Sequence, residues 1–160
     1  MDENKTQIVI GSDHAAYQLK EKIKQYLIEI GMDINDVGTY NEDSVDYVEF
    51  GIKVSAMISN GKYERGILLC GTGLGMSMVA NKFPHVRAAL CNDLFSAIMS
   101  RRHNNSNILV MGGRVIGEEL AREIVRAWLG TPFDGGRHQL RIKKFDRIEE
   151  MVCGATSLKT

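Results

Sequence analysis

Five short apolar runs punctuate this chain: Ile8–Ile10, Ile34–Val37, Ile67–Leu69, Val86–Cys91 and Ile108–Met111. Each is closed by glycine or small polar residues. Between them lie stretches whose apolar residues recur every three or four positions. Runs this short and this apolar suit strands buried on both faces, and the intervening period is helical. Strands alternating with helices give parallel crossovers. The expected fold is therefore α/β: a three-layer α/β/α sandwich around a five-stranded parallel sheet, Rossmann-like in outline.

The helices read in order. From Ala15, Leu19, Ile23, Leu27 and Ile30 form one stripe, with Lys20, Glu21, Lys22, Lys24 and Gln25 on the polar face and Gly31 as the C′ residue. Tyr47–Asn60 is the second helix and Met76–Lys82 the third. Leu94–Asn104 is the fourth. Glu118–Leu129 is the fifth, with Leu120, Ile124, Val125 and Trp128 inward and Gly130 as its stop. Thr39–Asp46 is polar and loop-like. No linker, repeat or low-complexity tract interrupts this, so residues 1–160 read as one domain with a core at about 7–152. After Pro132 a glycine turn opens a sixth helix, whose apolar stripe (Leu140, Phe145, Ile148, Val152) has no strand to follow it. It lies across its own sheet or across a partner. Residues 154–160 are expected to fray.

Twenty basic and 20 acidic residues give a formal net charge of +0. Bulk charge therefore selects neither nucleic acid nor a membrane surface. No apolar run approaches the roughly 18 residues of a membrane span. The start, Met1–Gln7, is polar and unlike a signal peptide. Cys70, Cys91 and Cys153 are an odd count without metal spacing, as expected of reduced thiols in a cytoplasmic protein. His14, His85, His103 and His138 are scattered, and no metal or cofactor is expected.

Arg65–Ser77 concentrates the chemistry. The strand ends at Cys70, and Gly71, Gly73 and Gly75 follow at alternate positions before a helix. A glycine turn opening a helix aims several N–H groups at one point, which suits an anion. The dinucleotide fingerprint fails on spacing, a cysteine-phosphatase loop lacks its arginine at Met76, and a phosphate-binding P-loop lacks its lysine. What remains is a thiol beside an oxyanion-binding turn, or a structural cysteine before an ordinary βα turn.

Strand carboxyl ends in a parallel sheet share one rim, where ligands bind. Asp13-His14, Cys70-Gly71-Thr72, Asn92-Asp93 and Arg114 all fall there. Asp13 also suits a helix cap, and His103 suits a helix carboxyl end. Arg137 and Arg141, four apart, share a helix face and suit a phosphate or a solvated surface.

Seven segments together carry a resemblance: G-S-D-H-A-A from Gly11, Asp46-Tyr47, C-G-T-G-L-G-M-S from Cys70, A-N-K-F from Ala80, S-R-R-H-N from Ser100, Gly112–Arg114 and G-G-R-H-Q-x-R from Gly135. In this order they are similar to the B-type ribose-5-phosphate isomerases, whose family includes allose- and galactose-6-phosphate isomerases. The resemblance implies a metal-free aldose–ketose isomerase of the pentose phosphate pathway working through a cis-enediolate. Cys70 matches the base; relatives with a glutamate a few residues later differ, because Gly73–Met76 holds no acid. The amides of Gly71, Gly73, Leu74 and Gly75 match the oxyanion hole. Thr72 and His103 match ring-opening residues, Asp13 and Asn104 hydroxyl contacts, and Tyr47 a site wall. His14, Arg114, Arg137 and Arg141 match the phosphate set. It also implies a homodimer or dimer of dimers, with the site shared and the sixth helix packed on the neighbour. A non-catalytic phosphate-binding protein is the alternative from another class.

Overall fold

The computed structural model describes residues 7–156, with side chains for 7–145 and 147–152. The elements are β1 (Gln7–Ser12), a 3-10 turn (His14–Ala16), α1 (Tyr17–Glu29), β2 (Asp33–Asp36), α2 (Tyr47–Ser59), β3 (Arg65–Cys70), α3 (Leu74–Ala80), β4 (Ala88–Leu90), α4 (Leu94–Asn104), β5 (Ile108–Gly112), α5 (Glu118–Gly130) and α6 (Arg137–Thr156). The sheet order is β2-β1-β3-β5-β4, and every pairing is parallel.

Right-handed crossovers decide which face each helix covers. The steps β1 to β2 and β4 to β5 run one way along the sheet; β2 to β3 and β3 to β4 run the other. Accordingly Ile8, Ile10, Ile67, Leu69, Leu109 and Met111 meet Leu19, Ile23, Ala97, Ile124 and Trp128 of α1, α4 and α5. Val9, Leu68, Cys70 and Val110 meet Phe50, Val54, Ile58, Met76 and Ala80 of α2 and α3. Successive strand residues alternate between these layers, as the pleat requires. The chain reverses direction between β1 and β3, the place where open α/β sheets form their crevice.

Local chemistry sets the ends. Gly31 takes φ +84, and the Gly31 and Met32 N–H groups donate to Ile28 O and Leu27 O, closing α1 as its glycine predicts. α3 begins at Leu74, two residues earlier than expected, because Gly73 caps it in the left-handed region. Gly130 lies inside α5; the helix ends where Thr131 turns extended before Pro132. Leu120 is 39% exposed, not inward. Lys20 is fully buried, not on the polar face, because Asp36 Oδ1 and Oδ2 take its ammonium at 2.7 and 2.6 Å. α6 extends to Thr156, three residues into the stretch expected to fray; residues 157–160 lie outside the described ones. Its Leu140, Ile148 and Val152 are exposed, while Ile142 alone packs inward among its described aliphatics. No described helix is long and apolar enough to cross a membrane.

Candidate active site

The carboxyl rim is assembled from backbone outward. The Asp13 N–H donates to Leu69 O at 3.2 Å, holding the end of β1 beside β3. Asp13 is buried, and its Oδ1 accepts the Ala16 N–H at 3.1 Å, so the capping role is real. The other carboxylate oxygen is left for the rim. His14 Nδ1 accepts the Val45 N–H at 3.1 Å, which puts the proton of the neutral ring on Nε2.

Cys70 is 5% exposed, and its Sγ accepts the Gly73 N–H at 3.1 Å. Gly73 is required twice. Its φ is +79, and a Cβ there would stand 2.4 Å from Leu90 Cδ1 and 3.1 Å from the Met111 carbonyl carbon. Thr72 Oγ1 accepts the Leu74 N–H at 3.3 Å. Two of the amides in the turn are thus matched within it, one of them to the sulfur.

The neighbours close in around the turn. Asp46 Oδ1 caps α2 through the Val48 N–H at 2.9 Å, and the adjacent Tyr47 ring covers Gly75, where a Cβ would lie 2.6 Å from it. Gly113 and Arg114 N–H groups donate to Cys70 O and Gly71 O at 2.8 and 2.9 Å, so β5 carries Arg114 to the same turn. The Arg114 Cδ and Nη1 lie 3.6 and 3.8 Å from the Cβ position of Gly71. Asn92 Oδ1 accepts the Gly112 N–H at 3.2 Å, and Asp93 caps α4 through the Ser96 N–H at 2.7 Å. These two rim residues are scaffold. Asp13, His14, Tyr47, Cys70, Thr72, Gly73, Leu74, Gly75 and Arg114 therefore converge.

His103, Asn104, Arg137 and Arg141 do not join them. α4 leaves the carboxyl rim at Leu94, and its 11 residues carry the chain roughly 16 Å back to the amino rim. His103 and Asn104 end that helix, just before β5 starts. α6 begins beside them: the Asp134 N–H donates to Arg102 O, and Arg102 Nη2 pairs with Asp134 Oδ2 at 3.0 Å. His103 and His138 are not scattered; their rings stack 4.3 Å apart at 7°. Burial, then the charges of His103, Arg137 and Arg141, hold His138 below the ordinary imidazole value. Chain spacing gave no sign of this pair, which forms only when α6 returns to α4. His103, Asp134 and His138 offer ligand atoms within 4.8 Å of one another. Asp134 is already committed to Arg102, and Arg137 and Arg141 add positive charge, so the surroundings suit an anion better than a metal. Asn104 lines a cavity of about 290 Å³ beside edge strand β4, with Phe145 of α6.

A thiol under a glycine turn, a buried acid, a histidine and an arginine meet at the switch point of a parallel sheet, the place where proteins of the α/β class bind small molecules. A family profile described as Ribose/Galactose Isomerase matches residues 8–145. The chain belongs to that family. It is 43% identical over 143 residues to ribose-5-phosphate isomerase B of Escherichia coli K12, covering 89% of this chain and 96% of the relative. It is 42% identical to D-erythrulose-4-phosphate isomerase of Pectobacterium atrosepticum, covering 89% and 94%. Ribose-5-phosphate isomerase B of Clostridium thermocellum superposes with a TM-score of 0.90 at 48% identity, covering 91% of this chain and 99% of that one.

Proposed function

We propose that this chain is a cytoplasmic, single-domain aldose–ketose isomerase that interconverts ribose 5-phosphate and ribulose 5-phosphate through a cis-enediolate. The observation that carries the reading is Cys70 held against the Gly73 amide at the strand end, in a chain of this family. Cys70 is the base that moves the proton between C1 and C2. The charge that develops on the substrate oxygen is met by amides of the Gly71–Gly75 turn, the kind of donor whose loss costs about 100- to 1000-fold in turnover. Asp13 orients the sugar hydroxyls, and Tyr47 walls the site. His14, through Nε2–H, and Arg114 bind phosphate, a remote handle that fixes the carbons for proton transfer.

The reading also requires a second copy. His103 and Asn104, with Arg137 and Arg141, stand at the opposite rim of the same chain. A homodimer, or a dimer of dimers, supplies them to the neighbour's carboxyl rim: His103 with Thr72 for ring opening, Asn104 for a hydroxyl, and the arginines for phosphate. The exposed stripe of α6 is the surface suited to that contact. Arg137→Ala should then raise KM and leave kcat nearly unchanged.

A second reading keeps the mechanism and changes the sugar. The Pectobacterium relative is named for a four-carbon ketose phosphate, and allose or galactose 6-phosphate lies on the larger side. Turnover of purified protein on ribose 5-phosphate, allose 6-phosphate and erythrulose 4-phosphate, with an iodoacetamide-treated control, tests both. Pentose turnover that alkylation abolishes supports the assignment. Preference for another sugar moves the substrate, and no turnover of any supports a non-catalytic phosphate-binding protein.

A further inference from the structure

A cluster of charge at the carboxyl end of β2 has no part in the proposed proton transfer. Lys20 of α1 is fully buried, and its ammonium meets Asp36 Oδ1 and Oδ2 at 2.7 and 2.6 Å and Glu21 Oε1 at 3.0 Å. Lys24 Nζ donates to Asp36 Oδ2 at 2.8 Å. The Tyr17 and Tyr40 rings flank the Lys20 ammonium, their centroids 5.7 and 5.4 Å from it. Replacing both members of such a pair by apolar side chains of similar volume is often neutral or stabilising. Stability therefore gives no reason for these charges.

Asp36 ends β2 and directs the chain that follows. Its Oδ1 accepts the Gly38 N–H at 2.9 Å, and its carbonyl oxygen accepts the Tyr40 hydroxyl at 3.0 Å. The turn is pinned to β1: the Ser12 N–H donates to Gly38 O and the Thr39 N–H to Ser12 O, both at 2.8 Å. Residues 40–44 are exposed, so the two ends of the loop set its course. At the far end the Val45 N–H donates to His14 Nδ1 at 3.1 Å. One loop thus runs from the Asp36 carboxylate to the His14 ring. Tyr47, which covers Gly75, follows two residues later.

We propose that Asp36, locked by Lys20, is a positioning residue for the phosphate end of the site. The carboxylate fixes the turn at Gly38, the loop carries Val45 to His14, and the Val45 amide holds the imidazole with its proton on Nε2, available to a phosphate. An apolar side chain at position 36 would offer Gly38 no acceptor. The inference rests on the reading of His14 as a phosphate ligand.

The test compares two double variants of the full-length protein. Lys20→Met/Asp36→Leu removes both charges and the acceptor for Gly38. Lys20→Met/Asp36→Asn removes both charges and keeps an amide oxygen for Gly38. The Leu variant should fold and raise KM for ribose 5-phosphate about tenfold, the worth of one hydrogen bond to a charged group, with kcat nearly unchanged. The Asn variant should keep a KM near wild type. Nitrogen-15 NMR of the histidine rings at about pH 8, where an ordinary imidazole is neutral, reads His14 directly once a His14→Gln spectrum assigns its signals. Wild type and the Asn variant should show one tautomer, protonated at Nε2, and the Leu variant a mixture. Wild-type KM and tautomer in the Leu variant, or equal defects in the two variants, would overturn the proposal. So would a Leu variant that unfolds, because the pair would then serve the fold itself. A mixed tautomer with unchanged KM supports the positioning and removes His14 from the phosphate set. If wild type turns over no sugar phosphate, the tautomer comparison still decides.

Discussion

Gly73→Ala separates two costs that a glycine turn combines. The residue sits at φ +79, and its missing Cβ faces Leu90 Cδ1 at 2.4 Å and the Met111 carbonyl carbon and oxygen at 3.1 and 3.2 Å. Gly31 has a matching φ of +84 with nothing within 4 Å. Forcing a left-handed alanine costs about 1–2 kcal/mol at either place. A stiffer unfolded chain returns about 0.4–1 kcal/mol at either place too. Only Gly73→Ala adds overpacking, about 1–3 kcal/mol, because the Leu90 methyl can turn aside but the Met111 carbonyl belongs to β5. The expected difference between the variants is therefore about 1–3 kcal/mol, or a melting temperature lower by roughly 2–12 °C for a chain of this size. Urea unfolding at one fixed protein concentration measures it. Gly73→Ala should also lower kcat by about 100-fold, since the amide that faces Cys70 Sγ is displaced, a loss comparable to that of one oxyanion donor. Gly31→Ala should keep full activity. Equal destabilisation of the two variants, or full activity in Gly73→Ala, would refute the close-approach argument.

Four further outcomes are expected. Cys70→Ala should lower kcat by about 100- to 10,000-fold, the span of a general base, with little change in substrate binding; near-wild-type kcat would remove Cys70 as the base. In a Cys153→Ser background, iodoacetamide should label Cys70 and spare Cys91, which is 1% exposed and whose thiol burial pushes up to about 11; peptide mapping reads this. Mixing inactive Cys70→Ala and His103→Ala proteins through unfolding and refolding should restore about a quarter of wild-type activity, because random pairing rebuilds one intact site in four; no recovery would argue that each chain holds a complete site. Lys20→Met should destabilise the fold by less than the ~3–5 kcal/mol of a fully broken buried pair, because Lys24 and the Gly38 amide still meet Asp36 at 2.8 and 2.9 Å. Burial alone would raise the Asp36 pKa, but Lys20, Lys24 and the Gly38 amide outweigh it and hold the carboxyl below its ordinary 3.8. The stability this lends is present above that value and is lost as pH falls below it. Acid unfolding of Lys20→Met should lose that component between pH 4 and the wild-type midpoint, and an unchanged acid profile would contradict it.

The sheet and its helices were readable because apolar period is a local signal. α4 begins and ends where Leu94–Asn104 predicts, and Gly31 ends α1 as its missing Cβ allows. The Lys20 error and the missed histidine pair share a cause: the deciding partner is distant in sequence. Lys20 looks like a surface lysine until β2 brings Asp36 against it, 16 residues on. Leu120 fits the α5 stripe by period yet stays 39% exposed, while Trp128 two turns later is sealed. The carboxyl rim was legible as a set, because parallel topology alone sends the ends of β1, β3 and β5 to one edge. The His103–His138 stack was not, because nothing local tells α6 to return to the end of α4.

If the proposed reaction needs His103 beside Cys70, the same topology gives a reason for a second copy. In a βα unit the strand delivers its last residue to the carboxyl rim, and the helix returns its last residue to the amino rim. Cys70 ends a strand and His103 nearly ends a helix, so the two lie on opposite edges, about a helix length apart. No adjustment of side chains spans that distance. A twofold partner laid amino rim to carboxyl rim closes it at both ends at once, since an isologous contact repeats every pairing. α6 follows as the element that makes such a contact worthwhile. It has no strand to cover, its stripe of Leu140, Ile148 and Val152 is exposed, and its first turn carries Arg137 and Arg141 beside His103. On this reading, assembly and activity rise together with protein concentration, and the dilute single chain binds sugar phosphate weakly through Arg114 and His14 alone.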